Sequence, residues 1–290
     1  MVGFVLLAAL SAAATDAPES TAADPQSSGE IVVEGVREQK ERVRQFIRSL
    51  DDVRTFGQIG KFHAPVCPVA MGFPEAQNRM IAERMKRVAR AAGIQTAEAK
   101  CDPNVFLIAS VDKGSTIKTL AKRFPAYFRD MRDREVRKLA ASSQPSVAWQ
   151  VKGLLSADGT ILKKAPMDGP YINESTNSGS RVRAGTMPQF VASMVVVERG
   201  ALTGLSVTQV ADFAAMRAYA DTDPRRAAGS GAPTILTILD KGEDEMVPVT
   251  LTQWDFGYLK SLYATSNAYY ASYQRGDMAH ELEKELAKGR

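Results

Sequence analysis

The sequence predicts a mixed α/β fold in which helices cover a twisted mixed sheet. Two continuous apolar runs of strand length, residues 104–111 and 190–198, alternate with stretches whose apolar residues recur at helical spacing. The C-terminal third is mostly at helical spacing. Such alternation is typical of a sheet packed with helices, so we expect an α/β (α+β) architecture with a helical C-terminal portion.

The elements before the last third follow from local signals. Residues 62–73 have the composition of a strand but contain Pro65 and Pro68, which place the strand near a sheet edge. Proline at position 74 and glycine at position 93 bound a helix, and residues 114–124 form the next one. Residues 145–156 are a further strand. Residues 157–188, rich in Gly, Pro, Asn and Ser, predict a long loop or hairpin excursion.

The last third contains two strong helix starts. Ser206 is expected to cap a helix through residue 219, and Thr252 with Asp255 has the spacing of a capping box. Between these helices we expect a loop at residues 224–231 and a short apolar segment at residues 234–240. Charged residues dominate positions 277–288, which predict a solvated terminal helix.

The N-terminal region predicts export. Residues 1–14 form an apolar run that is too short to span a bilayer and ends in small residues, as a cleaved signal peptide does, although no Lys or Arg precedes it. Residues 15–36 predict a flexible linker, and residues 37–290 a single globular domain. Within the linker, residues 30–35 resemble a TonB box, a short edge-pairing strand, or are a first β-strand of the body.

Composition and cysteine content agree with an exported soluble protein. The chain is 44% hydrophobic and 24% charged, and no later run has the length of a transmembrane segment. We therefore expect a periplasmic or secreted location. Cys67 and Cys101 are an even pair, for which a disulfide is favoured over two buried free thiols.

Residues 204–263 are laid out like part of a metalloprotease. A helix is followed by the apolar turn 234–240 and then by Leu251-Thr-Gln-Trp-Asp255 with Leu262-Tyr263. This order resembles the C-terminal layout of metzincin zinc proteases. With Pro65-Val-Cys-Pro68 and Cys101-Asp-Pro-Asn104, the chain is most similar to a group of uncharacterised exported proteobacterial proteins. The resemblance implies a metzincin-like fold over residues 62–263.

The chemistry implied by the metzincins is missing from this helix. On the alignment that the resemblance implies, Thr208 and Asp212 take the two histidine positions of the zinc motif, and Gln209 takes the position of the general-base glutamate. Asp212 alone could ligate zinc well, and Gln209 cannot accept a proton from bound water. We therefore expect no metal and no cofactor, and treat Thr208, Gln209 and Asp212 as a candidate degenerate site.

A basic segment offers a second candidate site. Residues 113–138 hold nine basic and three acidic residues, and the candidate anion-binding residues are Lys118, Lys122, Arg123, Arg129 and Arg132. Such a segment attracts lipopolysaccharide, phospholipid headgroups or another polyanion, or is merely a solvated helix face. An exported location argues against nucleic acid as the partner.

These observations favour a non-catalytic exported protein, a pseudoenzyme, that binds a peptide or protein partner through its sheet edge or a degenerate metzincin-like cleft. The first alternative is an envelope module that binds anionic lipid or lipopolysaccharide through residues 113–138. The second alternative is a hydrolase with an unrecognised site, which the long excursion at residues 157–188 keeps open.

Overall fold

The computed structural model describes residues 25–98, 100–167, 169–240 and 246–288. The chain divides into two compact units, residues 1–38 and 39–290. The expected signal peptide, residues 1–14, lies outside the described residues. In the first unit, residues 25–38 are helical and form the start of helix α1 (Pro25–Leu50). The strand expected at residues 30–35 is wrong, because a β-branched run forms a strand only where a neighbouring strand pairs with it.

The second unit is built on a five-stranded sheet. Its central strand, β7 (Thr186–Glu198), pairs in parallel with β1 (Lys61–Phe62) and β3 (Val105–Ser110), and antiparallel with β4 (Ser146–Ser156). Strand β2 (Pro68–Met71) pairs in parallel with β3 and lies at an edge, as the two prolines predict. Strands β5 (Lys163–Lys164) and β6 (Tyr171–Ile172) form a separate small hairpin.

The helices alternate with strands along the chain as the sequence predicts, but no helix was expected at residues 133–140. They are α2 (Glu75–Ala91), α3 (Lys113–Arg123), α4 (Asp133–Ala140), α5 (Val207–Tyr219), α6 (Pro224–Ala228), α7 (Gln253–Ala264) and α8 (Ala271–Lys288). Short 3-10 helices cover Pro125–Phe128, Arg199–Leu202 and Ile235–Thr237. The mixed α/β fold with a helical C-terminus is therefore confirmed.

Apolar residues on both faces of the sheet place it between two helical layers. On one face, Leu107 of β3 and Val195 of β7 join a large core with α2, α5, α7 and the part of α1 that belongs to this unit. On the other face, Trp149 and Met194 pack with Ile117 of α3. A strand that is buried on both faces has no polar side to show, which explains the unbroken apolar runs at β3 and β7.

The predicted disulfide is present and joins the starts of two neighbouring strands. Cys67 and Cys101 are bonded across a separation of 34 residues, directly before β2 and shortly before β3. Closing a loop of this length stabilises the folded state by about 4 kcal/mol in the chain-entropy model. The bridge therefore fixes the edge of the parallel sheet.

Two further elements differ from the sequence-based expectation. Residues 224–228 are helical rather than loop, because Asp223 accepts a hydrogen bond from the Arg225 amide and Pro224 has a helix-compatible φ at the first position. Helix α8 is longer than expected and is not simply solvated, since Met278, Leu282 and Leu286 bury one side of it. Intervening glutamates and lysines hid this apolar stripe in the sequence. Within the described residues, no helix combines the length and apolar character needed to cross a membrane.

Candidate functional site

The helix that resembles a zinc-site helix is held by polar contacts at its start. Ser206 and Gln209 form a reciprocal capping box: the Gln209 amide donates to Ser206 Oγ (3.1 Å), and the Ser206 amide donates to Gln209 Oε1 (2.9 Å). Gln209 Nε2 also donates to the carbonyl of Pro248 (2.9 Å). Both polar groups of the Gln209 side chain thus have a partner within the fold, although the metzincin resemblance placed Gln209 at the general-base position.

Asp212 is fully buried and binds four donors. Arg84 of α2 approaches it with two parallel contacts, Nε to Oδ1 at 2.7 Å and Nη2 to Oδ2 at 2.9 Å. The Thr250 hydroxyl (2.6 Å) and the Leu251 amide (2.9 Å) donate to Oδ2. Asp212 therefore links α5 to α2 and to the segment that leads into α7.

The three residues of the candidate degenerate site do not act together. Thr208 is exposed on α5, whereas Gln209 and Asp212 are buried and occupied by the contacts above. In the parts of the chain that the structure describes, no cluster of three or more His, Cys, Asp or Glu side chains is arranged to hold a metal ion. His63 lies near Asn267, with Nε2 3.0 Å from Oδ1, and burial lowers its pKa.

The apolar turn and the closing helix are joined through a second buried carboxylate. Asp255 of α7 accepts hydrogen bonds from the Thr234 hydroxyl (2.5 Å) and from the amides of Ile235 (2.8 Å) and Thr252 (3.0 Å). Burial raises the pKa of Asp255, and these donors oppose that rise. The capping box predicted at Thr252 is present. In both helices of the protease-like segment, the buried polar residues therefore bind neighbouring structural elements.

An open groove lies along the outer edge of β4. The cavity, about 790 Å³, is bordered by Ser146 and Ala148 of β4, by α4, and by residues 221–226. We call it the edge groove. Within the described residues, β7 is the only strand of the large sheet that pairs with β4. The opposite side of β4 therefore faces the groove.

Hydrogen-bond directions identify which backbone groups of β4 face outward. The Glu198 amide donates to Pro145 (2.8 Å), while the Ser193 amide donates to Asn104, on the β3 side (2.9 Å). Because these directions alternate along a strand, Val147 and Trp149 pair with β7. The N–H and C=O groups of Ser146, Ala148 and Gln150 consequently point to the free edge.

Side chains close the same edge farther along β4. The Lys152 amide donates to Asp130 Oδ2 (2.7 Å), and the Lys152 carbonyl accepts from Arg129 Nη2 (2.8 Å). Beyond it, Leu155 bridges to Ile161. These contacts take the place of a neighbouring strand. The open part of the edge is therefore the segment that borders the groove.

Two ion pairs lie in the walls of the edge groove. Lys152 contacts Asp221 (3.0 Å), and Arg225 contacts Asp223 (2.9 Å). Arg217 is buried in the wall and its Nη1 donates to the Thr222 carbonyl, but among the described residues its Nε has no hydrogen-bond partner. Burial lowers the pKa of Arg217 to about 10, which leaves the side chain charged at neutral pH.

The basic segment forms an exposed surface on the other helical layer. Lys118, Lys122, Arg123, Arg129 and Arg132 are all exposed on α3 and the following turns. Phe124, 46% exposed, follows Arg123 at the end of α3. We call these six residues the basic face. Lys113, counted with the segment, is instead buried and donates to the Ser142 and Gln144 carbonyls and to Glu198.

The sequence did not point to the edge groove or to the Arg84 partner of Asp212. The side-chain pattern of a strand such as β4 shows which faces of the sheet are buried. It does not show whether one or both edges of the strand are paired. Arg84 stands in an arginine-rich helix where nothing marks it among its neighbours. The proline before β2 was the one edge signal in the sequence.

Comparisons of the chain with protein-family models, with curated proteins and with solved structures gave no match.

Proposed function

We propose that this protein is a non-catalytic binding protein that takes up an extended peptide segment of a partner as an added strand on β4. The observation that carries the proposal is the free edge at Ser146, Ala148 and Gln150, which opens onto the edge groove at Ser146 and Ala148. Strand addition uses unpaired backbone donors and acceptors for affinity and neighbouring pockets for side-chain selectivity. The edge groove offers both.

The dimensions fit a short peptide. Alternate residues of β4 point their backbone N–H and C=O groups toward the free edge. An added strand of about five residues, with a rise of about 3.3 Å per residue, would pair with these groups. Met131 and Leu139 line the groove and supply apolar contact surface beside the edge. Closure of β4 at Lys152 by Arg129 and Asp130 limits the length of the added segment.

This proposal keeps the partner-binding hypothesis but moves the site. Of the residues compared with a zinc site, Gln209 and Asp212 stabilise the fold, and Thr208 is exposed. We also propose an exported location, in the periplasm or outside the cell. The Cys67–Cys101 bridge supports it, because disulfides persist mainly in oxidising compartments.

The test is a proline substitution on the free edge. Ala148→Pro removes one outward N–H without removing a β4–β7 hydrogen bond, and edge strands accept proline at such positions. Ala148→Ser keeps the N–H and is the matched control. Peptides selected from a displayed random library against the wild-type protein should bind Ala148→Ser with unchanged affinity and Ala148→Pro about tenfold more weakly or worse.

Circular dichroism and thermal unfolding of both variants check that the fold is retained. In the wild-type protein, the amide resonances of Ala148 and Gln150 should shift on peptide addition. Selected peptides that bind Ala148→Pro as tightly as the wild-type protein would contradict the proposal, as would a selection that enriches no peptide.

A second function is favoured by the exposure of the basic face. All five of its cations reach solvent, and Phe124 offers an apolar side chain beside them. Cations with an adjacent exposed aromatic residue are typical of proteins that dock on anionic membranes. This alternative makes the chain an envelope module for anionic lipid or lipopolysaccharide.

Vesicle sedimentation tests this alternative. Vesicles of equal parts phosphatidylglycerol and phosphatidylcholine should retain the wild-type protein in a salt-sensitive manner, and Lys118→Gln/Lys122→Gln should weaken retention. Retention by phosphatidylcholine alone, or no retention by either vesicle, would exclude the basic face as a membrane site.

A further inference from the structure

A second cavity, separate from the edge groove and the basic face, lies between α1 and α8. Its volume is about 530 Å³, and its lining includes the charged residues Lys40, Arg44, Arg48, Arg275 and Glu283 together with His280. Small-molecule sites usually have volumes of about 300 to 1,000 Å³. We call it the helix groove. All of its lining residues belong to the unit formed by residues 39–290.

The cations of α1 stand in a row along the groove. Lys40, Arg44 and Arg48 are four residues apart, which places them on one side of the helix at steps of about 6 Å. Like charges at this spacing repel and cost a helix a few tenths of a kcal/mol for each pair. The repulsion within the row therefore opposes helix formation, and of the three cations Arg48, in the last turn of α1, has a position that favours a cation.

Few acidic groups offset this row. Arg44 contacts Glu41 at 3.8 Å, but both side chains are more than half exposed, so the pair is weak. Glu283 is the acid in the lining. Arg275 is already neutralised by Asp51, which it contacts through Nε at 3.1 Å and through Nη2. An excess of positive charge thus remains along the α1 side of the groove.

The α8 side leaves room for a ligand. Gly276 and Ala279 line the groove with little or no side chain, and a Cβ added at Gly276 would meet no heavy atom within 4 Å. Thr55 and Ser272 add hydroxyl groups at the rim. The groove therefore has a row of cations along α1, and along α8 it has small residues between Arg275, His280 and Glu283.

We propose that the helix groove binds a ligand that carries two or more phosphate groups, held by Lys40, Arg44 and Arg48. Guanidinium groups match phosphate oxygens in two-point contacts, and a lysine supplies a point charge. A row of cations about 12 Å long, from position 40 to position 48, suits several anionic groups on one scaffold better than a single carboxylate. The same chemistry occurs in a free polyphosphate compound and in a two-phosphate lipid headgroup.

Binding of inorganic tripolyphosphate, measured by titration calorimetry on the full chain, tests the site. The wild-type protein should bind it saturably, and Arg44→Gln/Arg48→Gln should weaken binding about tenfold or more. The matched control is Lys284→Gln/Lys288→Gln, which removes the same charge from exposed positions of α8 outside the groove and should change the affinity less than about twofold.

A second variant separates ligand binding from folding. Gly276→Glu places an acid in open space within the groove, and glutamate is a better helix former than glycine, so the fold should be retained. It should weaken tripolyphosphate binding as strongly as the double arginine variant. Equal thermal stability of Gly276→Glu and wild type, with lost binding, supports the site.

Vesicles distinguish the two sources of the phosphate groups. Binding to vesicles of equal parts cardiolipin and phosphatidylcholine, lost in Arg44→Gln/Arg48→Gln, identifies the ligand as a headgroup, whereas tripolyphosphate binding alone identifies a free compound. No saturable binding of either probe to the wild-type protein would overturn the proposal. Equal weakening by Lys284→Gln/Lys288→Gln would also overturn it, because net charge and not the groove would then be responsible.

Discussion

Arg84 and Asp212 form a two-point ion pair between α2 and α5, with Nε–Oδ1 at 2.7 Å and Nη2–Oδ2 at 2.9 Å. The Asp212 side chain has no exposed surface, while the Arg84 side chain is 27% exposed. The pair therefore joins two helices of the same layer across the large core. It occupies the residue that the metzincin resemblance placed at a metal-ligand position.

Because Asp212 links structural elements, its replacement should lower the free energy of unfolding. Asp212→Ala leaves the Arg84 charge and the Thr250 and Leu251 donors without their acceptor, so we expect a loss of about 3 to 5 kcal/mol in the free energy of unfolding. Urea denaturation measures it. Thr208→Ala, on the exposed side of α5, should change it by less than about 0.5 kcal/mol. A similar cost at both positions would contradict this description of the helix.

Removal of the disulfide should destabilise the sheet edge. The double variant Cys67→Ser/Cys101→Ser should lower the free energy of unfolding by about 3 to 4 kcal/mol, since the unfolded chain regains the entropy of a 34-residue loop. Denaturation of the variant beside the oxidised wild-type protein measures the loss. In the wild-type protein, a reductant should produce a similar decrease, whereas it should leave the double variant unchanged.

Burial of Lys61 should make stability depend on pH. Its Nζ donates to the carbonyls of Leu262 (3.3 Å), Tyr263 (3.1 Å) and Thr265 (2.5 Å) at the end of α7, and burial lowers its pKa from 10.5 to about 8. Between these values the unfolded chain binds more protons than the folded one. The free energy of unfolding should therefore rise with pH across this window.

The measurement is the difference between wild type and Lys61→Met from pH 7 to pH 10. That difference should increase from pH 8 upward in favour of wild type, by up to about 3 kcal/mol, and stay constant below pH 8. Tyrosines ionise at about pH 10 in the unfolded chain. Burial raises the pKa values of Tyr219, Tyr258 and Tyr263 in the folded protein, so a series that stays below pH 10 avoids their contribution to stability. A flat difference across the window would show that the Lys61 ammonium is not desolvated.

The sequence predicted those features that depend on local pattern. Strands β3, β4 and β7, helices α2, α3, α5 and α7, the capping residues Ser206 and Thr252, and the Cys67–Cys101 bridge all follow from apolar spacing, punctuating residues and cysteine parity. These signals lie within a few residues of the feature that they predict. Most elements were therefore predictable, and the exceptions are α4, α6, residues 30–35 of α1 and the buried face of α8.

Features formed by distant residues could not be predicted in this way. The Arg84–Asp212 pair joins positions 128 residues apart, and either residue alone is an ordinary charged side chain. The edge groove depends on β4 having only one partner among the strands of the large sheet in the described chain, which side-chain alternation does not encode. Exposure of the basic face was expected from composition, but the helix groove requires α1 and α8 to border the same cavity.

The buried charge of Arg217 should lower the free energy of unfolding. Its guanidinium is buried with Nε unpartnered, and burial lowers its pKa from 12.5 to about 10, so keeping the charge in the fold is unfavourable at neutral pH. Replacing a buried charge with an apolar side chain of similar size is often neutral or stabilising. Arg217→Met should therefore raise the free energy of unfolding by about 1 to 3 kcal/mol at pH 7.

Thermal and urea denaturation of Arg217→Met test this expectation. The control is Arg225→Met, at an exposed position in the same groove wall, which should change stability by less than about 0.5 kcal/mol. Because Gln150 Nε2 donates to the backbone carbonyl of residue 217, this contact with β4 survives the substitution. Marked destabilisation by Arg217→Met would mean that the Nη1 contact with Thr222 outweighs the desolvation of the charge, and that the residue is held for the fold alone.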